Sequence, residues 1–343
     1  MKKEPVYWKT TLEDVEKAVK EMTLGRVEKK FLSAGQRPLY LISYGKANKL
    51  TRTANLSSAL GAGDKMCYAD KSKPDYRPTV LFAGCIHGGE FEGTAALLNL
   101  IKILETGTDY NGVRNELLSK AAEKVNILII PCLNPDGRSR IEFSSMVGKT
   151  FEQLRYYNQG TWKDGSLCGW PDCKKIHPII DYCQFLGAYF NDDGINIMHD
   201  DFFGKKSSET EFLFDAVEDF VPDFTVLLHG GAEAPNHILK PAYAPDAVKK
   251  NILALENALK SRCEKEKLEY IVTSMDRGEN NHSPISFNLT SALYHFCGEP
   301  CVTYESNQGL EGCRCSLNHE QIYREHILLF EETIKHISEK EGK

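Results

Sequence analysis

Four short apolar runs, each cut off by residues able to do chemistry, constrain the fold of this chain more than any other feature. Residues 81–86 run without interruption into His87-Gly88-Gly89-Glu90. Residues 125–130 run into Pro131 and then Asn134-Pro135-Asp136-Gly137. Residues 224–228 stop at His229-Gly230-Gly231, and residues 301–304 stop at Glu305. Short apolar runs bounded by turn formers read as strands buried on both faces. Helical patterns separate them at 94–101, 209–221, 245–265 and 319–340. Strands that alternate with helices and are apolar throughout form largely parallel sheets sandwiched by helices. In such a sheet the C-terminal strand ends share one edge, and that edge is where open α/β sheets place ligands.

The remaining segments are read the same way. Thr11 caps a helix over 11–20, with Asp14 three residues on completing the box. Strands are expected over 27–32 and 38–43, joined by the turn 33–36. The stretch 50–76, rich in Gly, Ser, Asp and Lys, reads as loop. Residues 141–193 lack periodicity but carry Tyr156, Tyr157, Trp162 and Trp170, so they read as an irregular segment packed near the mouth of the site.

Bulk properties narrow the function classes. A chain of 343 residues with 41% hydrophobic and 26% charged residues is of ordinary globular composition. Its net charge of -6 gives no reason to expect a nucleic-acid partner. No stretch approaches the ~20 apolar residues that span a bilayer, so no membrane partner is expected. The two N-terminal lysines are not followed by an apolar core, which argues against a secretory leader. Eleven cysteines, an odd number without framework spacing, then read as free thiols of a cytoplasmic protein.

The strand ends supply His87, Glu90, His229 and Glu305. Two histidines and a carboxylate form the usual protein ligand set of a hydrolytic zinc site, with one position left for water. Glu305 then remains free as the base that takes a proton from that water. Cys168, Cys173, His177 and Cys183 lie close in sequence, but their gaps do not match the tight Cys-x2-Cys spacing of structural zinc sites, and they are read as free.

Taken in order, His87-Gly-Gly-Glu90, Asn134-Pro-Asp-Gly137, the strand ending at His229 and the late strand ending at Glu305 resemble the zinc carboxypeptidase A-like superfamily, the funnelins with their related deacylases. The resemblance runs from about residue 27 to 335. It implies one α/β domain over 1–343, with a mixed, mostly parallel sheet of about eight strands flanked by helices on both faces, and 141–193 as an insertion. It implies one zinc ion on His87, Glu90 and His229, with Glu305 as general base. It also implies an arginine after the Asn-Pro-Asp-Gly turn that steadies the oxyanion, for which Arg138 and Arg140 both qualify. Tyr294 is too close to Glu305 to match the family's mobile tyrosine and is read as core, and His282 as a loop residue.

One departure bears on substrate. Related enzymes grip the terminal carboxylate with an Asn-Arg pair that follows a Gly-Val-Asp-Leu-type stretch. Here the stretch is Gly194-Ile195-Asn196-Ile197-Met198-His199, so Met198 and His199 stand in place of the pair. A neutral imidazole does not replace arginine's bidentate fork. Asn196 and His199 are therefore taken as substrate-binding residues, with Arg155 or Lys163 as alternative partners for a carboxylate, and Asp200 and Asp201 as turn residues. The leading reading is a zinc hydrolase of peptide or amide bonds acting on small peptides. The rivals are an N-acyl amino acid deacylase and a non-catalytic binding protein on the same fold.

Overall fold

A computed structural model describes residues 4–274 and 286–339; His282 lies outside them. The strands are β1 (Arg26–Leu32), β2 (Pro38–Tyr44), β3 (Thr79–Ala83), β4 (Asn126–Ile130), β5 (Gly160–Trp162), β6 (Cys183–Leu186), β7 (Phe224–Gly230), β8 (Asn236–Leu239), β9 (Tyr270–Ile271) and β10 (Cys301–Ser306). Eight of them form one mixed sheet in the order β1-β2-β4-β3-β7-β10-β8-β9. Its central four, β4-β3-β7-β10, run parallel. β5 and β6 form a separate antiparallel pair within the aperiodic 141–193 segment.

The apolar runs lack alternation because both faces of the sheet are covered. Val80, Phe82, Ile127, Ile129, Val226 and Val302 point into one core with the helices Phe91–Thr106, Asp246–Lys265 and His319–Ser338. Their neighbours Leu81, Ala83, Leu128, Ile130 and Leu227 point into a second core with the helices Ser208–Phe220 and Leu289–Cys297. Tyr294 is buried in this second core. The N-terminal helix, Leu12–Glu21, begins with the expected capping box of Thr11 and Asp14.

Three segments depart from the reading of the sequence, the first being 141–193, which holds a capped helix, Phe151–Gln159, besides β5 and β6. The stretch 50–76 is not all loop: Asn55 caps a helix, Leu56–Gly61, followed by a 3-10 turn, Lys65–Cys67. The helix buries Leu56 and Ala59 against Tyr68 and Val221, an i, i+3 apolar pair too short to stand out among polar neighbours. The strands β8 and β9 were not expected either, since four and two residues carry no legible period. Among the described residues, no helix is long and apolar enough to cross a membrane.

Candidate metal centre

The parallel register sets the site. Glu305 of β10 lies opposite His229 of β7, so both reach the same edge of the sheet. β3 ends at Ala83, and the chain turns through His87 to Glu90 before the helix Phe91–Thr106 begins. Glu90 occupies that helix's N-cap but makes no capping hydrogen bond. Its carboxylate turns instead to the histidines: Oε1 lies 2.8 Å from His87 Nδ1 and Oε2 lies 3.0 Å from His229 Nδ1.

The glycines between the ligands are required by close approach. A Cβ on Gly88 would sit 2.1 Å from both Arg138 N and Gly137 C, and one on Gly89 would sit 1.7 Å from Asn158 Oδ1. Gly88→Ala must therefore displace backbone, which costs about 1–3 kcal/mol on the scale of core overpacking. We expect a lower Tm together with weaker zinc retention, read by thermal unfolding and metal analysis. Unchanged values for both would contradict this packing.

The donor set fits a metal ion. His87, Glu90 and His229 are all buried, with ligand atoms within 4.8 Å of one another, and they are the one such group among the described residues. Asn196 Oδ1 accepts a hydrogen bond from Met198 N at 3.0 Å and stands 3.1 Å from His87 Nε2. An oxygen already accepting there fixes Nε2 as the protonated nitrogen of His87. The bare Nδ1 lone pair then points at the Glu90 carboxylate, an arrangement of two acceptors that calls for a cation between them. Glu90 Oε2 and His229 Nε2 are buried without hydrogen-bond partners, as expected of an incompletely satisfied ligand cluster. Burial pushes the Glu90 carboxyl up, but the facing histidines outweigh it and hold its pKa down to about 2. His87 is further fixed by Tyr189, whose ring stacks on it at 3.9 Å and 15°.

These residues open onto a cavity of about 490 Å³ that also receives Glu305, Asn196, Met198 and His199. Burial raises the Glu305 carboxyl to about 7, with Glu90 adding repulsion and His229 and Lys174 opposing it. Burial, and then the charge of Lys174, lower His199 to about 3, so it faces the cavity as a neutral imidazole.

Other sequence-derived candidates lie elsewhere. Arg138 donates to the carbonyls of Thr10, Ile141 and Phe143 at 2.9, 2.7 and 3.2 Å. Arg140 donates to the carbonyls of Gly187 and Phe190 and pairs with Asp192. Neither lines the cavity, so their positions lend no support to the oxyanion role. Arg138 lies within a short helix, Pro135–Ser139, and Arg140 caps its C-terminus, and both fasten the surrounding chain segments together. Asn196 lines the cavity, and its side-chain oxygen also stands 3.1 Å from His87 Nε2. Asp200 accepts from Ser207 N and Oγ and Asp201 from Gly204 N, both closing turns. Lys163 is exposed and outside the lining, whereas Arg155 lies within it. The segment 141–193 contributes Phe151, Trp170, Lys174 and Tyr189 to the walls. Of these, Lys174 and Tyr189 carry no motif that would single them out in the sequence.

Two histidines and a carboxylate gathered at the parallel strand ends of a mixed α/β sheet form a group that could hold a metal ion. The family likeness is direct: residues 17–168, which carry His87 and Glu90, match the zinc carboxypeptidase family. Mouse (Mus musculus) carboxypeptidase D is 35% identical over 79 residues, 23% of this chain and 5% of that protein. The chain thus spans only a small part of the curated relatives it matches. The fold is similar to that of a metallo-carboxypeptidase from Burkholderia cenocepacia, with a TM-score of 0.57 at 16% identity, covering 94% of this chain and 66% of that one. It is also similar to carboxypeptidase A from Helicoverpa armigera, with a TM-score of 0.55 at 13% identity, covering 98% and 76%.

Proposed function

We propose that this chain is a zinc-dependent, carboxypeptidase-like hydrolase that cleaves a peptide or amide bond in a small substrate. The observation that carries this reading is the convergence of His87, Glu90, His229 and Glu305 on one cavity. Zinc held by the first three would activate water and polarise the scissile carbonyl. Glu305 takes a proton from the attacking water and delivers it to the leaving amine. Burial raises its carboxyl above the ordinary carboxylate value, which helps it both take up and hand on a proton. Asn196 and Tyr189 hold the His87 ring in one orientation, which keeps its free nitrogen toward the ligand cluster. The eleven cysteines are all free, in keeping with a reducing compartment.

A second reading, hydrolysis of N-acyl amino acids, is favoured by Met198 and His199, which bring no cation to the strand-end wall. A panel of short peptides and N-acyl amino acids, offered to the zinc-loaded protein, separates the two. We expect release of a C-terminal residue from peptides; turnover confined to N-acyl amino acids would favour deacylation. Stoichiometric zinc with no amide cleaved at all would remove the hydrolase reading.

A further inference from the structure

His177 has a partner that its neighbours in sequence lack. Cys168 and Cys173 pack into a small core with Ile179 and Phe190, and with Cys183 and His177 they form no ligand group among the described residues. The His177 ring turns toward another segment. Its Nε2 receives the backbone N–H of Asn196 at 2.8 Å. Asn196 Oδ1 in turn stands 3.1 Å from His87 Nε2. A path of hydrogen bonds therefore leads from the aperiodic segment to the His87 ring.

The path is braced along its length. Residues 177–180 run beside 194–196, where Ile179 N donates to Gly194 O at 2.9 Å. Gly194 takes φ +75°, and a Cβ there would fall 2.5 Å from Ile180 N, so the two segments meet backbone to backbone. Asn196 is buried and caps the 3-10 turn Ile197–His199. Its Oδ1 accepts from Met198 N at 3.0 Å and its carbonyl from His199 N at 2.8 Å. A buried N–H left without an acceptor is costly, so the imidazole that takes the Asn196 N–H helps to fix this turn.

Only one tautomer does this. Nε2 accepts as a bare nitrogen, which places the ring proton on Nδ1. Burial lowers the His177 pKa against the pull of Asp200, and the ring stays neutral at neutral pH. The rest of the side chain reaches solvent, so its replacement opens no core cavity.

We propose that His177 is a positioning residue for the metal centre: acting through Asn196, it fixes the orientation of the His87 ring and raises the affinity for zinc. This inference rests on the proposed role of His87 as a ligand. A metal-binding histidine takes its orientation from the group on its other nitrogen, and here that group is itself held from the aperiodic segment.

The test is the zinc affinity of the full chain, measured by competition with a chelating dye. His177→Phe keeps a planar ring but offers no acceptor, and it should weaken zinc binding by about tenfold, the lower end of the outer-sphere range. His177→Gln presents an oxygen to the same N–H and should restore most of the loss. A ring that merely packs would show the reverse order. In an Asn196→Ala background the contact to His87 is gone, and His177→Phe should then cost nothing further, because residues acting in series are not additive. Side-chain ¹⁵N NMR of the zinc-free wild type adds a readout without mutation: His177 should carry its proton on Nδ1. If Glu90→Gln binds zinc as tightly as the wild type, the ligand reading fails and this inference falls with it. Three results overturn the inference alone while Glu90→Gln loses zinc: wild-type affinity in His177→Phe, an equal further loss from His177→Phe in the Asn196→Ala background, or a proton on His177 Nε2.

Discussion

Glu305→Gln is expected to lower kcat by about 10²–10⁴-fold, the range for a lost general base, while zinc stays near one per chain. The side chain is at the end of β10, in register with His229, and it faces the same cavity as His87, Glu90 and His229. Glutamine keeps its shape but accepts no proton. The substitution therefore removes the proton transfer and leaves the ligand cluster intact. The same carboxyl sets a pH dependence. Burial first, and repulsion from Glu90 after it, raise its pKa to about 7 in the metal-free protein. A bound cation nearby pulls that value down, so kcat/KM should fall on the acid side with a midpoint at or below about 7. In Glu305→Gln this acid limb should disappear. Full activity in the variant would remove Glu305 from the mechanism.

The second large effect concerns the metal. Glu90 is the one ligand in contact with both histidines, and its buried carboxylate carries the only formal charge in the set. Glu90→Gln should weaken zinc binding by more than about 100-fold, beyond the 10–100-fold typical of an outer-sphere partner. Asn196→Ala should fall within that smaller range, because Asn196 acts through His87. Competition with a chelating dye measures both. Equal losses in the two variants would mean that Glu90 is not a ligand. Tm should also rise with added zinc in the wild type and much less in Glu90→Gln, since a ligand bound only by the native state stabilises it.

The strand ends made much of this site legible. An apolar run that stops at His87, His229 or Glu305 announces both a buried strand and the edge at which the next side chain emerges, so the convergence of these side chains could be read from local pattern and parallel topology. The arginines could not. Arg138 and Arg140 follow the expected turn, but their partners are the carbonyls of Thr10 and Phe143 and of Gly187 and Phe190, contributed by segments whose approach no periodicity encodes. The reverse holds for Lys174 and Tyr189. They lie in a segment without period, and only the small core around Cys168, Cys173 and Phe190 explains how it reaches the cavity. Short strands were lost for a simpler reason, because β8 and β9 are too brief to show alternation. Asn196, expected to bind substrate, lines the cavity, and its side-chain oxygen also stands 3.1 Å from His87 Nε2, a contact that no sequence pattern announces.

Anomalous diffraction at the zinc edge from crystals of the zinc-loaded wild type locates the metal directly. A single strong peak per chain is expected, bonded at about 2.0–2.2 Å to His87, Glu90 and His229, with Glu305 beside it but unbonded. A loaded crystal with no peak there, or with its peak on Cys168 and Cys173, would contradict it.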